Sequence, residues 1–149
     1  KRNEIEIMFD IFKNNKKNVI KDNNLYINVG ALLIHVAKID ENYSEKEKDI
    51  IRKTLLELGL TKDVLDSVFK KSEETEKNSN QILAFTKEVK NKDEEFKIKI
   101  VKALWKIIYA DNVSDMYEMS LMRRLTGLLY LDPKIVGDIK NKLINPSDK

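Results

Sequence analysis

The chain has 149 residues, with 28 basic and 25 acidic side chains, one histidine and no cysteine. A chain of this length suits one domain, residues 1–149, that buries roughly 68–70% of its unfolded surface without covalent staples. The missing cysteine excludes disulfides, thiol nucleophiles and thiolate zinc sites. A net charge of +3 with only four arginines, Arg2, Arg52, Arg123 and Arg124, argues against a nucleic-acid binder, which needs a strong positive field and guanidinium forks.

In chain order, Ile5, Met8, Phe9 and Phe12 recur at helical spacing and predict a short amphipathic first helix. Asn14 to Asn24 is polar, rich in Asn and Lys and aperiodic, which predicts a loop. From about Tyr26 to Ile39 the run YINVGALLIHVAKI is apolar nearly all round, as in a central helix surrounded by others. The next segment starts at Glu45, carries Ile50, Ile51, Leu55 and Leu58 on one face, and stops at Gly59, a residue suited to the left-handed position after a helix. Thr61 is the expected cap of a third helix through Val64, Leu65, Val68 and Phe69. Glu73 to Asn80 reads as a charged connection, with Ser79 or Asn80 capping a helix that holds Ile82, Leu83, Phe85 and Val89.

Asp93 opens a second helix that is apolar all round, through Phe96, Ile100, Val101, Leu104, Trp105 and Ile108, with acidic residues at its positive end. After Asp111 comes a helix showing Met119, Met122, Leu125 and Leu129, and Asp132 with Pro133 opens a last one ending near Ile144. Strand-like alternation and sustained heptads are both missing, so the expected fold class is all-α, a single bundle of about seven helices. No apolar run reaches the length of a membrane span and no signal-peptide pattern is present, which makes a cytoplasmic protein the expectation.

A shift of 71 residues lays LIHVAKIDENYSEKEKDIIRK on LWKIIYADNVSDMYEMSLMRR. In both, a buried helix ends at an Asp, Asp40 or Asp111, and a Ser or Asp then opens an amphipathic helix whose third residue is Glu47 or Glu118. The pattern predicts a duplicated pair of helices about a pseudo-twofold axis, with the two central helices in contact. Ser44 to Glu47 and Asp115 to Glu118 are both capping boxes, which by itself accounts for both glutamates. Asp40 and Asp111 are different, because a carboxylate at a helix C-terminus opposes the dipole at a cost of a few tenths to about 1 kcal/mol. Two readings of their offset stay open: an Asx turn, or a divalent cation held by Asp40, Glu47, Asp111 and Glu118. With so little imidazole and no thiolate, the cation would be calcium, magnesium or manganese. An EF-hand is excluded, since a loop opening at Asp40 puts Glu45 at its glycine position and Ile51 at its bidentate glutamate position.

VAKIDENYSEKEKDIIRK and ALWKIIYADNVSDMYEMSLMRRL, separated by a helical middle, resemble the TerB-like tellurite-resistance family over about residues 26–145. Its members carry two copies of an Asp-Gly-Glu turn followed by an acidic helix start, and Tyr109, Ala110, Asp111, Asp115, Tyr117 and Glu118 fit the second copy. The resemblance implies an all-helical domain tied to bacterial tellurite and chemical-stress resistance, with metal binding attached to it. It also implies a module used near membranes or in multi-protein complexes; a similar domain occurs in the N-terminal part of a membrane-anchored DnaJ-like co-chaperone. Against the family pattern, Glu41 and Asn112 stand where Gly is preferred, and Asn42 and Val113 replace its second acidic residue. Glutamate enters the left-handed backbone region reluctantly.

The remaining candidates have plainer readings. His35 lies in an apolar helix and reads as a buried, hydrogen-bonded imidazole, and Trp105 reads as core. Met116, Met119 and Met122 suit core packing or an adaptable docking groove. Arg123 and Arg124 with Lys102 and Lys106 suit a solvated face or a basic patch. No phosphate loop or nucleophile elbow is present. Three functional readings follow: a non-enzymatic stress-response module acting through contacts with other proteins, in the cytoplasm or at a membrane-associated complex; a small carboxylate-dependent metalloenzyme; or a structural domain of a longer protein.

Overall fold

The computed structural model describes residues 3–39, 41–79, 81–110 and 116–145, and among them there are seven α-helices, one 3₁₀ turn and no strand. The helices are α1 (Glu4–Ala37), α2 (Glu45–Glu57), α3 (Lys62–Asn78), α4 (Ile82–Thr86), α5 (Glu94–Ile108), α6 (Met116–Leu128) and α7 (Pro133–Ile144), with the 3₁₀ turn Val89–Asn91 between α4 and α5. The expected all-α bundle is what the chain forms.

The core is built on the two helices that the sequence marks as apolar all round. In α1, Val29, Leu32, Leu33 and Ile34 are fully buried; in α5, Ile100, Val101, Leu104 and Trp105 are. The two pack against each other, and α1 also contacts α2, α3 and α4, while α5 also contacts α2 and α7. Gly30 lets α1 and α3 approach closely, because a Cβ there would lie 2.7 Å from Ser72 Cβ and closer still to its hydroxyl. Ser72 itself is sealed inside, its Oγ donating to the Val68 carbonyl at 2.8 Å. Trp105 is core, as expected, with its indole N–H donating to the Val136 carbonyl on α7 at 3.1 Å.

Most local punctuation is where the residues put it. Asp93 and Asp132 cap α5 and α7, accepting from the amides of Phe96 and Lys134, each at 2.9 Å. Gly59 closes α2 at φ 116°, with the Gly59 amide on the Leu56 carbonyl and the Leu60 amide on the Leu55 carbonyl, a Schellman pair. Thr61 occupies the N-cap position of α3 without making a side-chain bond there.

Three segments depart from expectation. Residues 14–24 do not interrupt the first helix, since α1 runs unbroken from Glu4 to Ala37. Nothing between Asn3 and Val29 is Gly or Pro, so no residue breaks the helix that the buried half of α1 anchors. Glu73–Asn78 is not a connection but the last turns of α3, held because Ser72 and Glu76 continue the buried stripe of Val68 and Phe69. The segment after Gln81 forms only the five-residue α4 and the 3₁₀ turn, with Gln81 as the N-cap position and Ser79 Oγ accepting from its amide at 3.3 Å. There the Thr86 hydroxyl donates to the Leu83 carbonyl at 3.2 Å.

The repeat extends further than the two-helix unit read from the sequence. Under the same 71-residue shift, the end of α1 falls on the end of α5, α2 falls residue for residue on α6, and the start of α3 falls on the start of α7.

Candidate functional site

The turn joining α1 to α2 is built by local hydrogen bonds. After the C-cap at Lys38 the chain enters the left-handed region at Glu41, φ 62°, whose amide donates to the Lys38 carbonyl at 3.0 Å. Ser44 then opens α2 with both halves of the expected capping box. The Glu47 amide donates to Ser44 Oγ at 3.3 Å, and the Ser44 amide and hydroxyl each donate to Glu47 Oε1 at 3.0 Å. Glu47 is thereby buried to 1% exposure at the third residue of its helix.

In the second repeat, Glu118 is the third residue of α6 and is 7% exposed. The two glutamates singled out in the sequence are thus equivalent in position and both buried, each at a helix N-terminus that favours negative charge. Asp40, Asp111 and Asp115 lie outside the described residues. Among the described residues no group of three or more acidic or histidine side chains is placed to hold a metal ion. The donor chemistry of the four predicted residues is all carboxylate oxygen, which fits a hard cation such as calcium, magnesium or manganese.

A polar cluster between the end of α1, the α1–α2 turn and the end of α3 was not visible in the sequence. Glu76, nearly buried on α3, takes Lys38 Nζ on Oε2 at 2.9 Å, with His35 Nδ1 3.6 Å from Oε1. One turn earlier, Glu73 Oε2 accepts from the Tyr43 hydroxyl at 3.3 Å. Burial first, then the Glu73 carboxylate, pushes the Tyr43 phenol above its ordinary range. Lys48 lies over its ring at 4.9 Å. His35 is half-buried against this cluster and 6.4 Å from the Phe85 ring, so its surroundings are ionic as well as apolar. The one available signal was the helical spacing that carries the Val68–Ser72 stripe on to Glu76.

Grooves lie on both sides of α7. Between α5 and α7, Ile98, Ile135, Ile139 and Leu143 line a groove of about 510 Å³ edged by Lys102, Lys106, Lys142 and Asp138. Lys106 and Leu143 also line a neighbouring groove of about 480 Å³ with Lys46, Ile50 and Tyr109. On the other side, Trp105, Met119 and Met122 border a groove of about 420 Å³ whose walls include Gly127, Gly137, Arg123 and Lys140. Met122 is buried and Met119 half-buried, so this pair serves both core and groove. The basic residues predicted as one patch are divided, with Lys102 and Lys106 in one groove and Arg123 in another.

Among the described residues no helix is long and apolar enough to cross a membrane. No curated protein and no solved structure matches the chain. The family model described as tellurite resistance protein TerB matches residues 26–141, which spans both repeats, from the buried half of α1 through nearly all of α7. A helical bundle with a buried glutamate at the third residue of each of two equivalent helices, matched over most of its length, belongs to the TerB tellurite-resistance family.

Proposed function

We propose that this chain is a non-enzymatic TerB-like module of the chemical-stress response that acts through contacts with other proteins and holds a divalent cation at Asp40, Glu47, Asp111 and Glu118. The observation that carries the reading is the equivalence of Glu47 and Glu118, two carboxylates buried at the third residue of corresponding helices, each following a turn that contains an aspartate in the sequence. A capping box explains the placement of Glu47 locally. A cation would add what the cap does not supply, a positive charge to offset carboxylates at the C-terminal ends of α1 and α5. Calcium, magnesium or manganese would contribute charge alone, and the protein would use that charge to fix the two turns.

Calorimetric titration of the protein with each of the three cations tests this. The expected result is saturable heat for at least one of them, lost in Asp111→Asn and weakened at least tenfold in Asp40→Asn. Absence of heat in the wild type, or heat unchanged by both substitutions, overturns the cation assignment.

A further inference from the structure

The two repeats fill one pair of equivalent positions in opposite ways. In the first, Tyr26 on α1 stands against Gly59 in the turn after α2, where an added Cβ would come within 3.0 Å of its hydroxyl, and that hydroxyl donates to the Leu58 carbonyl at 3.1 Å. The 71-residue shift puts Lys97 of α5 in the place of Tyr26 and Tyr130 in the place of Gly59. The aromatic ring has moved from the helix to the turn, and a lysine holds the helix position. Tyr130 takes the left-handed backbone, φ 56°, and yet leaves its side chain 69% exposed. Core packing therefore does not account for a tyrosine in a conformation that suits glycine.

The groups around the ring are cationic. Lys97 Nζ lies 6.0 Å from the Tyr130 ring centroid, and Lys90 Nζ, from the 3₁₀ turn, lies 5.8 Å from it. Lys97 is only 7% exposed, and among the described residues neither ammonium has a hydrogen bond or an ion pair. A lysine buried to this degree is ordinarily paired with an anion, and a ring contact alone does not supply one. Its ammonium still reaches solvent, since every fully buried side-chain nitrogen among the described residues has a hydrogen-bond partner. The carboxylates close in sequence are placed elsewhere. Asp93 and Asp132 cap their helices, Glu95 pairs with Lys99, and Glu88 lines the groove beside Tyr26 with Lys92. Glu94 is exposed and outside ion-pair distance of both lysines.

We propose that Lys97, Lys90 and Tyr130 form a binding site for the phosphate group of a small molecule. Two ammonium groups without a carboxylate call for a doubly charged anion, and a phosphate monoester carries about −1.5 to −2 near pH 7, where a single carboxylate would leave one lysine unmatched. Tyr130 holds both ammonium heads to one ring, which restricts two flexible side chains before the anion arrives. The site uses neither of the turns that carry Asp40 and Asp111 in the sequence, so it stands whether or not those turns hold a cation.

Titration of the full chain with inorganic phosphate at constant ionic strength, followed by amide NMR shifts, is the test. The wild type is expected to show saturable shifts centred on Lys90, Lys97 and Tyr130, with acetate binding about tenfold more weakly or worse. Lys97→Met should weaken phosphate about tenfold, the worth of one hydrogen bond to a charged group, and Lys90→Met should do the same on a half-buried side chain whose loss the fold tolerates. Tyr130→Gly, which keeps the turn and removes the ring, should also weaken it. Shifts that do not saturate or that centre on another part of the bundle, acetate as tight as phosphate, or affinity unchanged in Lys90→Met and in a folded Lys97→Met would each overturn the proposal.

Discussion

Gly59 and Tyr130 stand 71 residues apart and occupy the same left-handed position after equivalent helices, at φ 116° and 56°. Each is followed by a leucine whose amide reaches back to the third-from-last turn residue, Leu60 to Leu55 and Leu131 to Thr126, with bonds of 3.1 and 3.0 Å. The same motif is therefore closed by glycine in one repeat and by tyrosine in the other. At Gly59 an added Cβ would also come within 3.0 Å of the Tyr26 hydroxyl, which donates to the Leu58 carbonyl. Gly59→Ala is expected to destabilise by about 1–2 kcal/mol. Tyr130→Gly should stay close to neutral: relief of about 1–2 kcal/mol is offset by glycine entropy and by the exposed ring contacts of Lys90 and Lys97. Thermal melts of the two variants check this, with a fall of several degrees for the first only.

Glu41 takes the same backbone region without such ring contacts. Its side chain is exposed and its φ of 62° is fixed by the amide bond to Lys38. Glu41→Gly should stabilise the fold by roughly 0.5–1 kcal/mol, the left-handed cost less the entropy of the added glycine. Urea unfolding should show a higher midpoint with an unchanged slope.

Where Gly30 meets Ser72, space rather than φ decides. Gly30→Ala should cost about 2–3 kcal/mol, since its Cβ would overlap Ser72 in a core that does not yield. Ser72→Gly alone removes the bond to Val68 and adds a helical glycine, so it also destabilises. The double variant should be more stable than the sum of the singles predicts by about 1 kcal/mol or more. Additive losses would show that the two helices can move apart.

Tyr43 sets an alkaline limit. Its folded-state ionisation is raised above the ordinary value of 10.0 by burial and by Glu73, so the unfolded chain gives up this proton first. Its contribution is constant below about pH 10 and is lost as the pH climbs above that value toward the folded-state ionisation. Absorbance titration should show a tyrosine step displaced to the alkaline side of the ordinary range, and Tyr43→Phe should abolish it. The variant should also flatten the fall in stability above about pH 10.

Legibility in the sequence followed the range of the forces involved. Ser44, Asp93, Asp132 and Gly59 act on residues within about four positions, so their types and spacing were sufficient to place the ends of helices. The two apolar helices were equally plain, because burial on every side leaves no polar stripe. Glu76 was hidden because a buried glutamate in EETEKN looks like a solvated run until Lys38 and His35 are brought to it from α1. Residues 14–24 are polar and aperiodic, the signature of a loop, yet α1 continues through them because helix propensity needs only a buried anchor.

The all-helical class, the duplicated unit and the glutamates at the third residues of α2 and α6 were legible in residue order alone, because periodicity and short-range capping chemistry record them. Packing between distant helices carries the repeat on to a third helix and gathers Tyr43, His35 and Lys38 around Glu73 and Glu76. The contacts of that cluster join side chains thirty or more residues apart and are set by how helices pack, not by any residue's neighbours in the chain.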